Sequence, residues 1–194
     1  MEAVTEAGSN LGRLLINLSE EFPGFLDLFF ILMTGLGVLI IISSLIEIAK
    51  MGKAGEMDKS SWGSVFWKQF GGGSLAIFAF TINAWTKTLW ANDDPLNINA
   101  YVVDPTTVTG AGDLGYGAGA IMAAMGIIVL TGVVTMARAY IGIARLGKVP
   151  ESQRGDLWGY IVSRLVAGSA LISALYIVNA IGEAAGVGGF ELTG

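Results

Sequence analysis

Nine of the eleven basic side chains in this sequence, which could bind an anionic ligand, cluster in two regions. These residues are Lys50, Lys53, Lys59 and Lys68 in the first region, and Arg138, Arg145, Lys148, Arg154 and Arg164 in the second. The chain has no cysteine and no histidine, which excludes disulfides, thiolate or imidazole metal ligands, and Ser/His or Cys/His nucleophile pairs. We therefore predict no catalytic residue, no metal site and no enzymatic activity. Clustered cations favour either contact with anionic lipid headgroups, at about 1 kcal/mol per residue, or a role limited to orienting the helices in a membrane.

Long apolar runs surround these cations. Of all residues 53% are hydrophobic and only 14% are charged, whereas a soluble domain has about a quarter charged residues. Four runs lack charge and have about the length that a helix needs to cross a bilayer: residues 28–46, 69–86, 114–137 and 165–182. The sequence thus predicts an all-α polytopic membrane protein with four transmembrane helices.

The distribution of charge predicts how these helices are oriented. Basic residues in short loops stay in the cytoplasm, so the loops at 51–68 and 146–157 should face inwards. The N-terminus, the acidic loop at 92–113 and the C-terminus should then face the periplasm of a bacterial inner membrane. No cleavable signal peptide is expected, because the start carries Glu2 and Glu6 in place of a basic segment and an apolar block. The net charge of −5 disfavours a nucleic-acid partner.

Residues 9–22 have the pattern of an amphipathic helix. Ser9 or Asn10 is suited to cap it, and Pro23-Gly24 should end it. Its apolar residues recur at helical spacing: Leu11, Leu14, Leu15, Leu18 and Phe22. Such a helix either lies flat on the outer leaflet or contacts a protein partner, and the pattern fits both.

An internal repeat is the most informative feature of the chain. Residues 46–53 match residues 141–148 at a spacing of 95, and Gly37 falls on Gly132 in the same register. At a spacing of 96 the second half of the repeat aligns further pairs: Trp62-Gly63 with Trp158-Gly159, Lys68 with Arg164, Gly72 with Gly168, and Asn83 with Asn179. The repeat predicts two tandem helical hairpins with the same orientation, because each unit has two spans. It divides the chain into an amphipathic segment (1–24), a first hairpin (25–91), an acidic periplasmic linker (92–116), and a second hairpin with a short tail (117–194).

Polar and small residues inside the runs indicate how the helices pack. Asn83 and Asn179 are the amides well inside apolar runs. They are predicted to form interhelical hydrogen bonds, of about 0.6 kcal/mol each, in preference to lining a pore or contacting a substrate. The glycines should let helix backbones approach closely. Gly71, Gly72 and Gly73 lack the Lys-Ser/Thr pair of a phosphate loop and predict a packing face or a kink.

The chain resembles the IcmC/DotE and TraQ membrane proteins of type IVB secretion and conjugation systems. The resemblance covers most of the chain. It rests on Leu-Ile-Asn-Leu-Ser-Glu-Glu-Phe-Pro at 15–23, a first span punctuated by glycines, Trp158-Gly159, Gly168, and Ile-Val-Asn-Ala at 177–180. Each hairpin also resembles the two-helix pilins of type IV conjugation systems, although this chain has four predicted spans and no predicted cleaved leader.

These resemblances imply a non-enzymatic structural subunit of a secretion or conjugation apparatus. The implied partners are membrane lipid, other apparatus subunits, and further copies of the chain in a homo-oligomer, filament or extracellular pilus. The pilin resemblance implies a basic inner loop that faces a lumen near bound phospholipid. It therefore assigns lipid binding to Lys50, Lys53, Lys59, Lys68, Arg145, Lys148, Arg154 and Arg164. The alternative is a small channel or transporter. The predicted spans have no central charges, which disfavours ion-coupled transport. A passive pore is therefore the form of this alternative that the sequence still allows.

Overall fold

The computed structural model describes residues 2–54, 59–103 and 112–186, without the side chains of 2–9, 53–61 and 112–118. Within these ranges the secondary structure is helical, which confirms the all-α prediction. The helices are α1 (Glu2–Ser19), α2 (Phe22–Ala54), α3 (Lys59–Ala76), α4 (Phe78–Trp90), α5 (Gly112–Arg145), α6 (Glu151–Ile172) and α7 (Ala174–Ala184). Two 3-10 turns, Ile98–Tyr101 and Leu146–Lys148, lie between them.

Two helices, α2 and α5, are long and apolar enough to cross a membrane. The pair α6 and α7 forms a third span if the two count as one, although they are bent by 68° relative to each other. The predicted run at 69–86 is divided between α3 and α4, and this pair is not among the helices that meet the same measure of length and composition. Membrane-type helices are therefore confirmed, whereas four spans remain a prediction.

The two interrupted helices break at Ile77 and at Ser173. Neither residue has helical backbone angles, with φ −112° and ψ 39° at Ile77 and φ −94° and ψ 14° at Ser173. No proline causes these breaks. The three glycines before Ile77 have low helix propensity, and the hydroxyl of Thr81 donates hydrogen bonds to the carbonyls of Phe78 and Ser74, at 2.8 and 3.4 Å. Such side-chain bonds compete with the helical ladder.

The N-terminal helix begins and ends earlier than the predicted helix at residues 9–22, because α1 spans Glu2–Ser19. It begins at Glu2, so Ser9 and Asn10 lie inside it and do not cap it. The chain turns at Glu20 and Glu21, and Pro23 is the second residue of α2. The predicted break at Pro23-Gly24 is therefore wrong. Proline is tolerated in the first turn of a helix, where its missing N–H would have no partner anyway.

The face of α1 that packs on the protein is not its leucine face. Gly12, Ile16 and Ser19 are buried, and Ile16 lies against Gly119 of α5. The Ser19 hydroxyl accepts a hydrogen bond from the backbone N–H of Val103, at 3.2 Å. Most of the predicted apolar face is exposed instead: Leu11, Leu14 and Leu18. This arrangement leaves the leucines free for lipid or for a partner.

The long helices pack in the order α2, α3, α5, α6. The most extensive contacts join α2 to α3 and α5 to α6, and α3 joins the two pairs by packing on α5. Phe78 of α4 and Tyr140 of α5 meet edge to face at 5.9 Å in the shared core. Residues 51–54 belong to α2 and residues 59–68 to α3, while α5 and α6 are joined by the turn at 146–148 and two further residues. The central α3 therefore positions residues from both halves of the chain.

Candidate functional site: a groove with a basic end

A groove of 340 Å³ runs between α2 and α5 beside α3. Its α2 side is lined by Leu36, Leu39, Ile40 and Ser43, its α5 side by Ile141, Ala144 and Arg145 together with Lys148 of the following turn, and α3 contributes Lys68. Both α2 and α5 run towards the predicted cytoplasmic side. The apolar lining residues come earlier in these helices, whereas Arg145 is the last residue of α5 and Lys148 lies in the turn after it. The groove is thus apolar at one end and basic at the other.

Two glycines allow α3 and α5 to come close enough to form this groove. A Cβ atom added at Gly71 would lie 2.6 Å from the backbone nitrogen of Ala144. A Cβ atom added at Gly147 would lie 2.6 Å from the backbone nitrogen of Ser64. Since neither backbone can move aside cheaply, only glycine fits at either position at this separation.

Lys68 of the groove forms an ion pair with Glu47 of α2, which is not itself one of the groove's lining residues. The Lys68 side chain is 10% exposed and that of Glu47 is 30% exposed. Two polar contacts surround the pair. The Ser64 hydroxyl donates to Glu47 Oε2 at 3.5 Å, and Gln69 Nε2 donates to Ser44 Oγ at 2.6 Å. A second cavity, also of 340 Å³, adjoins the pair and is lined by Ser43, Ile46, Glu47, Lys50 and Lys68.

The sequence does not predict this pair, because Glu47 and Lys68 are 21 residues apart in the chain. One signal is that Gly142 falls on Glu47 at the spacing of 95 residues, so the acid is present in only one of the two matched segments. An acid confined to one segment points to a local partner, but it does not identify which cation that partner is. The pair keeps Lys68 buried without leaving its charge uncompensated.

The structure gathers three of the eight predicted lipid-binding residues in the groove: Lys68, Arg145 and Lys148. Lys50 lines the adjoining cavity. Arg154 donates through Nε to the carbonyl of Val149 at 3.2 Å, away from the groove. The Arg164 guanidinium lies 4.1 Å from the centre of the Tyr160 ring. The side chains of Lys53 and Lys59 are outside the described part of the structure.

A larger cavity of 800 Å³ lies between the C-terminal part of α5 and the N-terminal part of α6. It shares Ile141 and Arg145 with the groove, and its walls also carry Arg138, Gln153 and Asp156. Its cations face an acid, as Lys68 does in the groove, but its walls lack the long apolar strip that α2 provides. The groove is therefore better suited than this cavity to an anionic amphiphile.

The predicted packing amides lie on α4 and α7. Asn83 is exposed in the single chain and Asn179 is half-buried. The interhelical hydrogen bonds predicted for them remain a prediction. Other polar side chains join α4 and the residues after it to α6 and its end. The Trp90 Nε1–H donates to Ser169 Oγ at 3.0 Å, and Asn92 Nδ2 donates to Ser173 Oγ at 3.3 Å.

One further ion pair lies at the predicted periplasmic end of α4. Lys87 Nζ lies 2.7 Å from Asp93 Oδ1, and both side chains are largely exposed. The hydrogen bond to Asp93 raises the pKa of the Lys87 amine above its ordinary value. An exposed pair of this kind contributes little to stability. Among the described residues no group of three acidic, cysteine or histidine side chains is placed to hold a metal ion.

Comparison with protein-family models gives no match, and neither curated proteins nor solved structures yield a significant match to this chain. The functional interpretation therefore rests on the groove and on the repeat.

Proposed function

We propose that this chain is a non-enzymatic structural subunit of a type IV secretion or conjugation apparatus of the IVB kind, and that it binds an anionic phospholipid. The observation that supports this best is the convergence of Lys68, Arg145 and Lys148 at one end of an apolar groove. A phospholipid has the matching chemistry, since its phosphate suits the cations and its acyl chain suits the leucine and isoleucine side chains. The apolar groove distinguishes this ligand from a free anion.

The proposal includes the tandem repeat of two hairpins with four spans. Equivalent glycines make equivalent contacts in the two halves. A Cβ atom added at Gly37 would lie 2.6 Å from the Gly72 carbonyl oxygen, and one added at Gly132 would lie 2.7 Å from the Gly168 carbonyl oxygen. The breaks in α3–α4 and α6–α7 also fall at equivalent residues, since Ile77 and Ser173 are 96 positions apart. These agreements support a duplicated hairpin with a kinked second helix.

The proposed orientation places both termini in the periplasm and the basic end of the groove at the cytoplasmic face of the inner membrane. Cysteines introduced at Asn97 and at Gly155 in this cysteine-free chain test it, because both positions are exposed. An impermeant thiol reagent added to intact spheroplasts should label position 97 and leave position 155 unlabelled. Preferential labelling of position 155 would contradict the proposed orientation and indicate the opposite one.

The groove is tested by the double variant Arg145→Gln/Lys148→Gln, in which the Glu47–Lys68 pair stays intact. The loss of two cations should weaken lipid binding by about 2 kcal/mol, or roughly thirty-fold. Transfer of DNA or protein by the apparatus should fall with it in cells that carry the variant as their only copy. The matched control is Lys87→Gln/Arg154→Gln, which removes the same charge outside the groove. Equal transfer by parent, variant and control would contradict a role for the groove.

A further inference from the structure

The contact between the two hairpins has two sides, and each side has an equivalent elsewhere in the repeat. On the α3 side lie Ser64, Lys68 and Gly71, whose equivalents on α6 are Tyr160, Arg164 and Ala167. On the other side lie Tyr140 and Ala144 of α5, with Tyr140 against Phe78 of the first hairpin, and Gly147 of the turn that follows α5. Their equivalents on α2 are Leu45, Ala49 and Gly52. The chain thus carries the α3-like surface a second time on α6 and the α5-like surface a second time on α2.

Both additional surfaces are accessible in the single chain. Tyr160 and Ala167 are exposed on α6, and Arg164 is half-buried. On α2, Ala49 and Gly52 are exposed and Leu45 is 53% exposed. The two closest internal approaches are Ser64 against Gly147 and Gly71 against Ala144. Three of the four equivalent residues are small, namely Gly52, Ala167 and Ala49, and the fourth is Tyr160. Small residues permit close helix contact in lipid.

We propose that a second copy of this chain binds here, with α6 of one copy packed against α2 of the next in the way that α3 packs on α5. The inference rests on the tandem repeat of the proposed function. The contact is head-to-tail, since the two surfaces differ, and every added copy presents the next free surface. Ala167 carries a methyl group where Gly71 has none, so the helices lie slightly farther apart than α3 and α5.

The same contact repeats the basic groove between copies. Arg164 stands in place of Lys68, while Lys50 and Lys53 of the next copy stand in place of Arg145 and Lys148. Gly142 replaces Glu47, so this groove lacks the acid that neutralises Lys68. Three cations without that acid repel one another when two copies meet. An anionic headgroup bound among them relieves the repulsion, which makes lipid part of the interface.

Cysteine cross-linking in the cysteine-free chain tests the interface. The variant Ala49→Cys/Ala167→Cys, oxidised in membranes of cells that lack the other apparatus subunits, should give a ladder of dimer, trimer and higher species. A disulfide needs Cβ atoms about 3.5–4.5 Å apart, which fits helices slightly farther apart than α3 and α5. The control is Ala49→Cys/Val162→Cys, because Val162 is exposed but lies about 140° around α6 from Ala167. It should give at least tenfold less cross-linking.

Equal cross-linking of the two pairs, or none from either, would overturn the interface. The variant Ala167→Phe should shorten the assemblies seen by electron microscopy, whereas Val162→Phe should not. Cross-linking is measured in cells that lack the other apparatus subunits. A failure to cross-link would therefore count against the interface and not against the results of the lipid and transfer measurements. A ladder in a chain whose loss does not impair transfer would instead contradict the proposed function alone.

Discussion

Replacement of Lys68 by glutamine should destabilise the folded chain by about 3 kcal/mol. The change leaves the Glu47 carboxylate partly buried without its cation, and the loss of one partner of a buried pair costs about 3–5 kcal/mol. The lower end applies because the Glu47 side chain retains 30% exposure. Unfolding in mixed detergent micelles, followed by circular dichroism, measures the difference.

Two variants separate the ion pair from other roles of Lys68. The double variant Glu47→Gln/Lys68→Gln should return to within about 1 kcal/mol of the parent, since no uncompensated charge remains. The change Arg164→Gln at the equivalent position should cost about 1 kcal/mol or less, because it removes only a contact with the Tyr160 ring. If Lys68→Gln alone unfolds like the parent, the pair is not a stabilising contact.

Gly37→Ala and Gly132→Ala should each destabilise the chain by about 2–3 kcal/mol. The new methyl group at either position meets a backbone carbonyl oxygen of the facing helix within 2.7 Å. Overpacking of a close contact costs about 1–3 kcal/mol, and a backbone neighbour cannot rotate away. The two losses should be similar, since the glycines occupy equivalent positions in the proposed repeat.

Gly35→Ala provides the matched control on the same helix as Gly37. A Cβ atom added there meets nothing within 4 Å. Alanine also favours helix over glycine by about 1 kcal/mol, so this variant should unfold at the same or a higher detergent or denaturant concentration than the parent. A loss at Gly37 without a loss at Gly132 would contradict the equivalence of the two hairpins.

The sequence predicts the parts of the fold that depend on long patterns. The uncharged stretches locate the long helices, because twenty apolar residues have few other arrangements. In the repeat, Gly37 is equivalent to Gly132 and Gly72 is equivalent to Gly168. The structure places Gly37 against Gly72 in one hairpin and Gly132 against Gly168 in the other. Clustered cations predict the basic end of the groove, although only three of the eight converge there.

The features that the sequence does not predict depend on single local contacts. No proline marks the breaks at Ile77 and Ser173. A sequence also cannot distinguish a serine or threonine whose hydroxyl bonds to a backbone carbonyl from one that is exposed to solvent. The packed face of α1 is set by Gly119 of α5, which accommodates Ile16. A pattern of leucines cannot show that a neighbouring helix offers this space. The Glu47–Lys68 pair likewise depends on the register of α2 against α3.

The lipid content of the purified parent protein tests the central claim most directly. Native mass spectrometry of the full chain, extracted in mild detergent, should show bound anionic phospholipid. That lipid should be lost at least tenfold more readily from Arg145→Gln/Lys148→Gln than from the parent or from Lys87→Gln/Arg154→Gln. A parent protein that carries no lipid, or a double variant that retains lipid as the parent does, would contradict the assignment of the groove as an anionic phospholipid site.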